Sequence, residues 1–203
     1  MYICNVPHVF FTATIKKNYM NRFTEMTDEQ YFAAQDEFIE KFGAPQPEPI
    51  PTLNLIMRKE FALAILKGEK KVEIRSFSDH YFNRLTDKKV DKWMDDHRKD
   101  GDMDEEAFNE FMCATRPVLK IHFHNYNNSW FLDVTCTENA LIGLTRQNVE
   151  SLHERFDFHD LDETLEKIEK SDNAKKAKDG FVNRPLLYYF VVGEIIETNL
   201  KTE

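Results

Sequence analysis

The sequence predicts an α+β fold in which a β-sheet is packed by helices. Three observations predict it. Runs rich in β-branched and aromatic residues recur at 8–16, 53–57, 119–123, 130–136 and 186–196. Helical patterns separate them at 28–42, 58–67, 145–156 and 160–170. Apolar residues make up 41% of the 203, enough for a real core, while only 6 are glycine, which argues against a glycine-loop nucleotide fold.

Taken in order, Val9, Phe10, Phe11, Thr12, Thr14 and Ile15 make 8–16 a strand. Thr27 and Asp28 can cap a helix over 28–42, whose apolar positions are Phe32, Phe38, Ile39 and Phe42, and Gly43 stops it. Prolines at 45, 47, 49 and 51 fix φ and remove donors, so 44–51 reads as an extended linker. The main domain boundary falls there: 1–49 is an N-terminal extension of strand plus helix, and 50–203 is the main domain. Within it, 53–57 is a short strand and 58–67 a helix carrying Phe61, Ile65 and Leu66, with Gly68 where a left-handed C-cap would sit. Residues 86–112 are highly charged with scattered Trp93, Met94, Phe108, Phe111 and Met112. They read as one or two surface helices broken near Gly101, part of an insertion at about 86–116. The strands at 119–123 and 130–136 are joined at Asn125-Tyr-Asn-Asn128, a hairpin-turn composition. An apolar run at 140–144 and two helices follow, then a lysine-rich loop at 171–180. The most apolar segment, 186–196, reads as a final core strand.

The net charge is −9, which excludes a protein whose whole surface is a basic nucleic-acid face. Any such contact must be local. Residues 58–92 hold ten Lys and Arg against six Asp and Glu, an excess of +4, whereas 95–110 hold two against eight, a balance of −6. Cys4, Cys113 and Cys136 are odd in number and widely spaced, so the expected setting is a reduced cytoplasm. Residues 1–20 have no secretory-signal pattern, and no apolar stretch reaches the ~20 residues of a membrane span. No membrane partner is expected.

The basic island contains Lys71-Val-Glu-Ile-Arg75, which alternates cleanly. Val72 and Ile74 go to one face; Lys71, Glu73 and Arg75 go to the other. Helix, Gly68 turn and strand place Lys70 at the mouth of a sheet, with Glu73 and Arg75 side by side two residues apart. Arg75 offers a planar fork for phosphate or carboxylate. Lys70 offers a compact charge, and Glu73 can orient Lys70 or act as a base. A strand of this composition is also a common solvated sheet face, whose ion pairs are worth about 0–1 kcal/mol.

The stretch from Ala64 to Arg75 resembles the signature of the ASCH family, an apolar helix end followed by G-x-K-x-x-E-x-R. Gly68, Lys70, Glu73 and Arg75 match its four positions, and the resemblance extends over about 50–200. It implies a PUA-like β-barrel, mixed or antiparallel, flanked by helices. It further implies RNA or a nucleotide-like small molecule as partner, bound at Lys70, Arg75 and Lys71, without a cofactor. Residues 1–49 and 86–116 look like additions to the family core. A bacterial subgroup resembles amidohydrolases of acetylated cytidine, which use the motif lysine, a threonine where this chain has Glu73, and an acid from a later helix. By that resemblance Lys70, Glu73 and Glu154 are catalytic candidates, with Asp157 a second choice of acid. Glu154 lies in Leu152-His-Glu-Arg-Phe156, similar to an E-G-F-like family stretch, with Arg155 replacing a small residue.

Other candidates are weaker. His122 and His124 share a strand face and begin a metal set that has no identifiable third member. His153 and His159 flank the Glu154 stretch. Cys136 reads as a buried cysteine. Tyr81, Phe82 and Trp130 are candidates for stacking on a base. Three functions therefore stay open: an RNA- or nucleotide-binding module, a small amidohydrolase of a modified nucleoside, and a protein-interaction domain. Oligomeric state is not written in the sequence.

Overall fold

The computed structural model of the protein describes residues 28–100, 112–170 and 184–201. The strand expected at 8–16, most of the acidic 95–110 segment and the lysine-rich loop lie outside the described residues. In chain order the described elements are α1 (Asp28–Phe42), β1 (Leu53–Ile56), α2 (Lys59–Leu66), β2 (Val72–Ser76), α3 (Asp79–Leu85), α4 (Lys88–Asp100), β3 (Lys120–His124), β4 (Phe131–Gly143), α5 (Arg146–Phe156), α6 (Asp162–Lys170) and β5 (Leu186–Thr198).

The five strands form one sheet in the order β1-β3-β4-β5-β2. β1 runs parallel to β3, and every other pair is antiparallel. β4 and β5 are each 13 residues long, and their register shifts three times between Asp133 and Glu138. Such bulges bend a strand and increase its twist, so the mixed sheet coils into a half-barrel flanked by helices.

Strand alternation then separates two cores. On the inner face Leu53, Leu55, Phe123, Leu132, Tyr188 and Phe190 pack with Ala62 and Ile65 of α2. On the outer face Val72, Ala140, Tyr189 and Val191 pack against Val149 and Leu152 of α5 and Leu165 of α6. A third, smaller cluster joins Ile39 and Phe42 of α1 to Val90, Trp93 and Met94 of α4. The N-terminal helix and the charged insertion thus pack on each other, and the extended 44–51 segment connects them to the main core by an Ile50–Val118 bridge.

Two elements differ from the sequence reading. The runs at 130–136 and 140–144 belong to one strand, β4. The polar residues between them are accommodated because their side chains are satisfied. Buried Glu138 accepts from Arg155 of α5 and from the Tyr189 hydroxyl, and Asn139 accepts from Val118 N–H at 2.8 Å and donates to the Arg116 carbonyl at 3.1 Å. Helix α3 is the other difference, a short helix in a stretch to which the sequence reading assigns no element. Ser78 caps it, its hydroxyl accepting from Tyr81 N–H at 3.4 Å.

Arginines cover the edge strand β1. Arg75 donates to the Ile56 carbonyl at 2.8 Å and Arg84 to the Asn54 carbonyl at 3.4 Å. Charged groups on an exposed edge discourage pairing with another chain. Among the described residues no helix is long and apolar enough to cross a membrane.

Gly193 on β5 lies close against Thr135 and Thr137 of β4. A Cβ there would collide with the Thr135 hydroxyl and meet Thr137 Cγ2 at 2.8 Å. Thr135 cannot simply turn away, since its hydroxyl accepts from Glu194 N–H at 2.8 Å. Gly193→Ala is therefore expected to destabilise by about 1–3 kcal/mol, the usual range for overpacking. A urea midpoint equal to wild type would show that the strands have room to part there.

Candidate functional site

The turn after α2 sets the site. Gly68 takes φ +75°, a conformation open to glycine, and its N–H donates to the Ile65 carbonyl at 2.9 Å. The N–H groups of Glu69 and Lys70 both return to the Ala64 carbonyl, at 2.9 and 3.2 Å. Lys70 is thus pinned between helix and strand. β2 then pairs with β5, placing Glu73 opposite Phe190 and Arg75 opposite Tyr188. These partners belong to the inner core, whereas Val72 and Ile74 pack outward with the α5–α6 layer. A carboxylate and a guanidinium therefore enter the mouth of the half-barrel.

Glu73 is buried there, at 7% exposure. Arg75 Nη2 lies 2.7 Å from Glu73 Oε1 and also bonds Ile56. Lys70 Nζ lies 3.5 Å from Glu73 Oε2 and 3.7 Å from Asp160 Oδ2. It also sits 5.6 and 5.7 Å from the ring centres of Phe61 and Phe158, so its charge is held between two aromatic rings. Burial pushes the Glu73 carboxyl above the ordinary carboxylate range and outweighs the opposing pull of Arg75 and Lys70. Arg75 Nε is buried without a hydrogen-bond partner.

The three groups line a cleft of about 810 Å³, within the range of small-molecule sites. Ile56 and Met57 contribute from the end of β1, Arg58, Lys59 and Phe61 from α2, Asn125, Tyr126 and Trp130 from the β3–β4 connection, and Phe158, Asp160 and Leu161 from the α5–α6 connection. Its lining holds four cations, Arg58, Lys59, Lys70 and Arg75, against the two acids Glu73 and Asp160. Two aromatic residues at this cleft are solvent-facing, Phe61 at 44% and Tyr126 at 89% exposure.

The other candidates are placed as follows. Lys71 is exposed and lines a neighbouring hollow with Thr135, Thr137 and Glu194. Glu154 is exposed on α5 and is not in the cleft lining; the carboxylate beside Lys70 is Asp160. Asp157 ends α5 in the left-handed conformation and faces His159. Arg155 clamps α5 to buried Glu138. Trp130 lines the cleft, but Tyr81 packs on the inner core and Phe82 against Phe77. His122 and His124 are neighbours with ring centres 5.3 Å apart; His122 bonds Asp133, which also accepts from Lys120, and the His124 ring bonds the Asn125 carbonyl. Burial pushes the Cys136 thiol up to about 12, so it is protonated at neutral pH and unsuited to nucleophilic attack.

Sequence reasoning missed Asp160, Phe158, Phe61 and Tyr126 as site residues. The sequence marks Phe61 and Tyr126 only as a helix position and a turn member. Asp160 and Phe158 come from a connection that no local pattern marks. No protein-family model matches the chain, and no curated protein or solved structure matches it.

Proposed function

We propose that the cleft binds a nucleotide-like ligand, a nucleoside, nucleotide or short single-stranded RNA. The observation that carries this reading is the convergence of Lys70 and Arg75 on buried Glu73 in a cleft of about 810 Å³ bordered by exposed Phe61 and Tyr126. Each part has a use for such a ligand. Aromatic faces stack on bases. A fixed carboxylate accepts from the amino or imino edge of a base. Lys70 and Arg75 are largely neutralised by Glu73 and Asp160, and Arg58 pairs with Glu60 at 3.3 Å, so Lys59 adds the further positive charge of the lining toward a phosphate. The resemblance of Gly68, Lys70, Glu73 and Arg75 to the ASCH signature, and with it a PUA-like barrel, supports the same reading. The chain's −9 charge favours a small ligand over a long duplex.

The test is a thermal-shift screen of wild type and Lys70→Ala against nucleosides, modified nucleosides, nucleotides and short RNAs. A ligand at 100 times its Kd stabilises the fold by about 2.7 kcal/mol. The expected result is a shift in wild type that Lys70→Ala abolishes. A blank panel with both proteins folded would overturn the reading in favour of a protein-interaction role.

One observation favours a second reading, hydrolysis of an acyl-amide on a modified nucleoside. Lys70 is mostly buried between two carboxylates, and one of them, Glu73, is displaced toward taking up a proton. In that chemistry water adds to the amide carbonyl, the C–N bond breaks and the amine leaves with a proton. Lys70 and Glu73 would handle the protons, with Asp160 in the place that the family pattern gives to a later acid. Incubating N-acylated nucleosides with wild type and Glu73→Gln distinguishes the readings: release of free amine by wild type alone defines an enzyme, and binding without release defines a module.

A further inference from the structure

We propose that His153, His159 and Asp162 form a site for a divalent transition metal, zinc by preference. The site is separate from the cleft reading and does not depend on it. One ligand atom from each of the three residues lies within 4.8 Å of the others. His153 Nε2 is 2.6 Å from Asp162 Oδ1, and His159 Nδ1 is 3.3 Å from Asp162 Oδ2. Zinc–ligand bonds of about 2.0–2.2 Å in a tetrahedron set neighbouring donors roughly 3.4 Å apart, so small side-chain rotations fit the ion. Two imidazoles and one carboxylate suit zinc better than calcium or magnesium, which take oxygen shells.

A second observation points the same way. The other ring nitrogen of His159, Nε2, lies 3.3 Å from Asp157 Oδ1. With Nδ1 on the metal, Nε2–H donates to that carboxylate. This fixes tautomer and ring orientation, as the outer partners of metal-bound histidines do. Asp157 is held for it by a left-handed backbone, φ 55°, at the end of α5. Three protein donors leave the fourth position to water.

The placement gives the ion a task. His153 is on α5, Asp162 opens α6, and His159 is between them, so a bound metal clasps the connection that carries Phe158 and Asp160 to Lys70. The ion binds imidazoles in their neutral form, so protons compete with it for the site.

The test uses the full chain stripped with a chelator and titrated with Co²⁺, read by visible absorption, followed by Zn²⁺ displacement. The expected result is one equivalent with strong tetrahedral-type bands that Zn²⁺ abolishes. His159→Gln and Asp162→Asn, at positions with 59% and 45% side-chain exposure, should each weaken binding at least tenfold with unchanged circular dichroism. Asp157→Asn should weaken it about tenfold while keeping the bands, the signature of a positioning residue. Equal binding by wild type and His159→Gln, pale octahedral spectra throughout, or loss of binding in His122→Gln instead would each overturn the proposal.

Discussion

Arg75→Met is expected to lower stability by about 3–5 kcal/mol in urea unfolding, because it leaves the Glu73 carboxylate buried without its nearest partner. The loss should be smaller in Glu73→Leu/Arg75→Met, where no carboxylate is stranded and Lys70 keeps Asp160 at 3.7 Å. What remains in the double variant is about 1 kcal/mol from the Ile56 carbonyl, which loses the Arg75 donor, together with the loss of Glu73 as a partner of Lys70. A double variant no better than Arg75→Met would show that Arg75 acts mainly by holding β1. The pH dependence separates the pieces further. Glu73 has a carboxyl raised by burial, so the folded state holds its proton more tightly than the unfolded state. Its favourable contribution is complete below the ordinary carboxylate range and is lost as pH rises through the raised value. Glu73→Gln removes that dependence, and its stability relative to wild type should improve as pH rises across the same window. A constant difference from acid to neutral pH would mean that the carboxyl titrates as if exposed.

Phe190→Ala is expected to cost about 3–5 kcal/mol, a fall in Tm of roughly 10 °C for a chain of this size. Phe190 is fully buried in β5 and faces Glu73 across the β2 pairing and Asn139 across the β4 pairing. The cavity opens beside the carboxyl, so water gains access to it. Desolvation, the largest influence on Glu73, weakens, and its titration, followed by NMR, should move down toward the ordinary range. Stability lost with no movement of the Glu73 titration would separate the core from the site.

Lys70, Glu73 and Arg75 were legible because two local rules set them together. Gly68 permits the turn that ends α2, and the period of two along β2 puts Glu73 and Arg75 on one face. Which face points inward was legible only as a contrast. Val72 and Ile74 suggested a buried side, yet both sides of β2 are covered, and the polar pair goes into the barrel. Asp160 and Phe158 follow the motif by nearly ninety positions and reach Lys70 through the packing of α5 and α6 on the outer face. The same limit hid the continuity of β4. Glu138 and Asn139 look like a loop until Arg155, Tyr189 and the Val118 N–H arrive from elsewhere to satisfy them.

The order of the strands bears on when the cleft can form. β5 is the last of the described strands, yet it sits between β4 and β2 and is the strand that β2 pairs with. β1 waits in the same way for β3, more than sixty residues later. A nascent chain emerging from the ribosome can fold α2 early, but the strand bearing Glu73 and Arg75 has nothing to pair with until β5 is made. Such distant pairings fold slowly. Chain shortened before β5 should therefore carry the motif without the site, so the cleft exists only once β2 and β5 have both been made.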